Sequence, residues 1–114
     1  MAIRTKRIYE PATDDDGLRV LIDRLWPRGL SKANAKVDLW LKELAPSHEL
    51  RKWFDHRADR WPEFQKRYAV ELKDQTEAMA MLRREAKKRT VTLLFASRET
   101  KLNNASALKR MLDR

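Results

Sequence analysis

The chain has 114 residues, enough to bury one hydrophobic core and too few for two, so a single domain over residues 1–114 is expected. Its 42% hydrophobic content, with four Trp, three Phe and two Tyr, supplies enough large apolar surface to offset the entropy of ordering, which excludes a disordered chain. A net charge of +9, from 26 Lys and Arg against 17 Asp and Glu, favours anionic partners, and the lack of cysteine excludes disulfides, thiolate nucleophiles and cysteine-ligated metals.

Residues 3–9 alternate only partly, and Pro11 with Asp14, Asp15, Asp16 and Gly17 closes them in a turn, which predicts a first strand. Residues 18–25 are nearly continuous in apolar and β-branched side chains, the pattern of a central strand covered on both faces. After Pro27 and Gly29 the period changes: Val37, Trp40, Leu41 and Leu44 stand at i, i+3, i+4 and i+7 and predict a helix ended by Pro46. A short helix then carries Leu50, Trp53 and Phe54. Trp61, Phe64, Tyr68 and Leu72 form the stripe of a longer one, with Asp59 placed to cap it.

Residues 76–88 read as a further helix with Met79, Leu82 and Ala86 inward. Lys87, Lys88 and Arg89 at its exit suit the negative end of the helix dipole, a reading preferred to a nucleic-acid patch. Residues 91–96 form the clearest strand, and a polar turn leads from it to a last helix with Ala105, Leu108 and Leu112 inward. Buried strands separated by helical crossovers imply parallel pairing. The expected fold is therefore α/β, a small, mainly parallel sheet of about three strands with several helices packed around it and an edge that a partner chain could cover.

Ligands of an open parallel sheet sit beyond the carboxyl ends of its strands, where loops meet helix N-termini. Two segments qualify. The first holds Asp23, Arg24 and Arg28 around Trp26 and Pro27, and arginine is the side chain shaped for bidentate contact with carboxylate or phosphate. Its structural alternative is an internal ion pair, Asp23 with Arg24 or Asp38 with Arg28, and Trp26 is expected in the core. The second segment holds Ser97, Arg98 and Asn103, where Ser97 can cap the turn or donate to an anion, and Asn103 is placed to cap the last helix. Arg24, Arg28 and Arg98 are expected to converge there, neutralised by Asp23, Asp38 or Glu99 or by a bound anion.

Other chemistries are disfavoured. The only histidines, His48 and His56, lie far from Ser97 in sequence, so no general base is evident for a serine hydrolase. His48, Asp55 and His56 lack helical ligand spacing, and no metal site is expected. The chain has two glycines, Gly17 and Gly29, too few for a dinucleotide fingerprint or a Walker loop, so no cofactor is expected. No stretch approaches 18 apolar residues and no signal peptide is visible, which predicts a cytoplasmic protein that does not enter membranes.

Asp16-Gly17, the run from Leu21 to Gly29 with Asp23-Arg24-Leu25-Trp26-Pro27-Arg28-Gly29 at its centre, Asp38 to Lys42, Ala45-Pro46-Ser47, Leu50 to Phe54 and Val91 to Leu94 together resemble the YeaO-like branch of domain-of-unknown-function family 488. The likeness extends from Arg7 to Leu112 and implies a small α/β fold with an unassigned polar site. Members of the family often carry His-Asn, or in the wider family Cys-His-Arg, at the start of the last helix. Here Leu102-Asn103 stands in that place, so no acid-base role can be carried over.

The expected function is a small-ligand domain that holds a phosphate- or carboxylate-bearing molecule between the two loops, with or without a chemical step, as a monomer or homodimer. The alternatives are a basic nucleic-acid-binding or regulatory module and a purely structural interaction protein. The charge argues for the first, because it is dispersed: 12 basic against 9 acidic residues in 1–57, and 14 against 8 in 58–114.

Overall fold

A computed structural model describes residues 2–114. Four parallel strands form one sheet in the order β1-β4-β2-β3, with β1 Ile3–Arg7, β2 Leu18–Leu21, β3 Leu39–Trp40 and β4 Val91–Phe95. The last strand in sequence is thus central, with Val91 paired to Ile3 on one side and to Leu18 on the other. Five helices complete the fold: α1 Lys32–Ala35, α2 His48–Phe54, α3 Trp61–Glu71, α4 Thr76–Lys88 and α5 Asn104–Leu112. The α/β class and the parallel sheet agree with the sequence reading; the fourth strand is an addition to it.

Strand alternation divides the apolar residues between two faces. Leu18, Val20, Val91, Leu93 and Phe95 point into the main core, closed by Leu50, Phe54, Phe64, Tyr68, Leu82 and the buried face of α5. Leu21, Leu94 and Ile8 point the other way, into a smaller cluster roofed by Ala35, Trp26 and Trp40. Both central strands are buried at every position, which is why they read as continuous apolar runs.

The connection from β1 to β2, residues 8–17, crosses this second face without an α-helix, and Asp16 ties it down. The Asp16 carboxylate accepts hydrogen bonds from Lys6 Nζ on β1 at 3.1 Å and from Arg19 Nη1 on β2 at 2.6 Å, while its carbonyl accepts one from Thr92 Oγ1 on β4 at 2.6 Å. One residue therefore contacts three strands. Arg19 also donates to the carbonyls of Lys36 and Ala35 at 3.1 and 2.8 Å, so each nitrogen of the buried guanidinium has a partner. Burial pushes the Asp16 carboxyl up, but the Thr13 N–H, Lys6, the Thr13 hydroxyl and Arg19 outweigh it and hold the group at about 2. Gly17 follows at φ 63°, and a Cβ there would lie 2.1 Å from the Thr90 carbonyl oxygen, so this close approach requires glycine.

Two local expectations are corrected. Residues 37–44 do not form a helix: Leu39–Trp40 pairs with β2, and a 3-10 turn, Lys42–Leu44, follows. The Asp38 carboxylate accepts from Arg19 N at 2.8 Å and Leu41 N donates to the Leu21 carbonyl at 2.9 Å, so pairing to the open edge of β2 overrides the helical spacing. Asp59 does not cap α3; it pairs with Arg57 at 3.0 Å, and the helix is entered through a 3-10 turn with Pro62 in its first turn. The basic exit of α4 behaves as expected for a helix end, with Arg89 and Lys88 both directed to Glu85.

Candidate functional site

Because β2 and β4 are parallel neighbours, the loops that leave their carboxyl ends meet at one edge of the sheet. A cleft of about 570 Å³ opens there between Asp23 after β2, Ala96 and Ser97 after β4, the first residues of α5 and the outer side of α2. Phe54 and Phe64 line it from the core, and Leu25, 73% exposed, stands at its rim.

Asp23 is held by neutral donors. Its Oδ2 accepts from Ala96 N at 2.8 Å, and its Oδ1 accepts from Asn104 Nδ2 at 3.0 Å, an amide that also donates to the Ile22 carbonyl. Among the described residues no cation lies within ion-pair distance of it. Burial accordingly pushes its carboxyl up, a rise only partly offset by the Asn104 and Ala96 hydrogen bonds and by the positive charge of Arg51.

The basic side chains of the cleft come from α2 and the turn after it. His48, Arg51, Lys52 and His56 stand at i, i+3, i+4 and i+8 on the exposed side of a helix whose other side buries Leu50 and Phe54. Neither Arg51 nor Lys52 has an ion-pair partner among the described residues. His56 follows the αL residue Asp55 and is itself left-handed, with φ 47° and 54° for the two. Asp and His are found in this region more often than other side chains, yet any Cβ there carries a cost of roughly 1 kcal/mol that glycine does not. Replacing His56 by glycine should therefore raise stability by about that amount in a denaturant titration. A destabilised variant would mean instead that the imidazole is needed for packing against Phe54, whose ring centre lies 6.4 Å away.

Of the residues expected at the site, Asp23, Ser97 and Asn103 line the cleft and Arg24, Arg28 and Arg98 do not. Asn103 is the N-cap of α5, its Oδ1 accepting from Ser106 N at 2.9 Å, and Ser97 Oγ caps its own turn by accepting from Glu99 N at 3.0 Å. Arg24 turns to the rim, where Nη2 donates to the Pro46 carbonyl at 3.4 Å. Arg28 is exposed, its carbonyl accepting from Tyr9 Oη at 2.8 Å, and Arg98 is exposed as well. The expected convergence of the three arginines is thus not formed, because β2 ends at Leu21 and the chain beyond Asp23 turns outward. The alternative ion pairs, Asp23 with Arg24 and Asp38 with Arg28, are absent too. Trp26 takes the core role, donating from Nε1 to the Leu30 carbonyl at 2.6 Å and packing edge-on against Trp40 at 5.3 Å.

The sequence reading missed the α2 cations and set the histidines aside as remote from Ser97. In the fold His48 and His56 share the cleft with Ser97, and the basic i, i+3, i+4 spacing was the available signal. Among the described residues no group of three or more His, Asp or Glu is placed to hold a metal ion. No helix among them is long and apolar enough to cross a membrane.

A small parallel α/β domain with a polar cleft at the carboxyl edge of its sheet is the arrangement that a family comparison places: the chain belongs to the DUF488 family, and over residues 2–114 it matches the model described as the inactive DUF488-N3 subclade. It is 42% identical over 108 residues to the uncharacterized protein YeaO of Escherichia coli K12, covering 95% of this chain and 94% of that one. It is 41% identical over 111 residues to the uncharacterized protein Rv3073c of Mycobacterium tuberculosis, covering 97% and 93%. No solved structure matches it.

Proposed function

We propose that this domain binds a small phosphate- or carboxylate-bearing molecule in the cleft and performs no chemistry on it. The observation that carries this reading is the pair of cations, Arg51 and Lys52, that line the cleft without an ion-pair partner among the described residues. Cations held in a concave site without partners raise the local concentration of anions, and arginine adds bidentate geometry. The absence of turnover is supported by the description of the subclade as inactive and by the occupation of Ser97 and Asn103 in turn and helix caps.

The test is the melting temperature of the protein at fixed ionic strength in rising inorganic phosphate. A saturable increase is expected, worth about 2.7 kcal/mol at a hundred times Kd, because a ligand that binds only the folded state stabilises by mass action. Arg51→Ala should abolish the increase and keep the fold, since the side chain is exposed on a helix in which alanine is favourable. A parent that ignores phosphate would overturn the reading. Binding of oligonucleotides with a steep salt dependence would replace it by a nucleic-acid interface.

A further inference from the structure

We propose that the ligand of this cleft is zwitterionic, with an anionic end held by Arg51 and Lys52 and an ammonium end received by Asp23. This rests on the cleft being an anion-binding site, and it deepens that reading by naming what the other wall recognises.

The cleft has two poles. On the α2 wall stand positive side chains without partners; on the opposite wall, between the ends of β2 and β4, stands a single carboxylate. Asp23 is oriented by the Ala96 N–H and the Asn104 amide, one donor on each oxygen. A carboxylate has about four acceptor positions, so both oxygens retain capacity after these bonds are made. Neither donor carries a charge, and a half-buried carboxylate is less well solvated than one in water until a cation meets it. The charge of Arg51 is felt at Asp23, but the two make no ion pair, so it does not fill that role. A purely anionic ligand would bring a second negative charge toward Asp23 and be repelled from that half of the cleft. A ligand with an ammonium group removes the conflict. Asn104 fits this division: it fixes the acceptor wall from the first turn of α5, where a nearby cation is otherwise disfavoured by the helix dipole, so the carboxylate is what makes that wall receptive.

The experiment compares three probes by calorimetry on the unmodified protein at neutral pH and constant ionic strength: inorganic phosphate, 2-aminoethyl phosphate and 2-hydroxyethyl phosphate. The last two have the same length and differ in an ammonium against a hydroxyl. The expected result is a Kd about tenfold or more lower for the amine, the scale of one charge-assisted hydrogen bond. Asp23→Asn should bring the two Kd values together. Equal affinities in the parent overturn the proposal while leaving anion binding intact, and a preference that survives Asp23→Asn overturns the assignment to Asp23. Failure of all three probes to bind overturns the anion-binding reading itself. The parent comparison involves no substitution, so it decides the proposal even if Asp23→Asn does not fold.

Discussion

Asp16→Ala should destabilise the domain by about 3 to 5 kcal/mol, enough to unfold a protein of ordinary stability at room temperature. The size follows from what the substitution leaves behind. Arg19 is 5% exposed and faces Asp16 at 2.6 Å, and Lys6 meets the same carboxylate at 3.1 Å, so two cations on strands that flank β4 lose their counter-charge, Arg19 without reaching water. The Thr13 N–H loses its acceptor as well. Urea denaturation measures the loss, and a cost under about 1 kcal/mol, the range of exposed pairs, would show that the network is open to solvent. The same group predicts an acid limb. Its folded value near 2 lies below the ordinary 3.8, so its contribution is complete above about pH 4 and is lost as the pH falls through 2. That contribution is on the order of 2 kcal/mol. The parent should lose it between these pH values, and any Asp16 variant that still folds should not.

Phe64→Ala should cost a similar amount, about 3 to 5 kcal/mol, through a different mechanism. Phe64 is 2% exposed and sits in a run of rings, 4.5 Å from Phe54 and 5.7 Å from both Trp61 and Tyr68. Helices α2 and α3 meet through this run, so its removal opens a void that neither helix can close alone. Because Phe64 also lines the cleft, the void would join it and ligand binding would weaken along with stability. Phe64→Leu, which restores most of the volume, should recover the larger part of the loss; equal damage from both would mean that aromatic stacking rather than volume holds the helices. Trp40 belongs to a milder class, since it is half-buried beneath Lys42, and its truncation should cost less than that of Phe64.

The contrast between these two aromatics shows what could be read from the chain. Helix α4 was legible to the residue, and so were the inward positions Met79, Leu82 and Ala86, because 13 residues of consistent period outvote local noise. The Asn103 cap was legible because a side-chain acceptor before an apolar-periodic run has few other uses. Trp40 was misplaced because four apolar residues with helical spacing also describe a two-residue strand followed by a tight turn, and a pairing partner 19 residues away decides between them. At the site, Asp23, Ser97 and Asn103 could be placed from strand ends and turns alone. The α2 cations could not, since their approach depends on β4 inserting beside β2 and carrying Ser97 toward a helix more than 40 residues earlier in the chain.

The central position of β4 has a consequence for how the chain is made. Every strand pairing except that of β2 with β3 involves residues 91–95, so the sheet has no lasting middle until those residues have left the ribosome. Until then β1 has no strand to lie against, and β2 has only the two-residue β3 beside it, so its other edge and the apolar Leu18, Val20 and Leu21 stay uncovered. Such a topology defers nucleation until residues 91–95 are made and exposes the growing chain to aggregation and to chaperone capture up to that point. Chains stalled before residue 91 should bind holding chaperones, and those extended past α5 should be released together with acquisition of protease resistance.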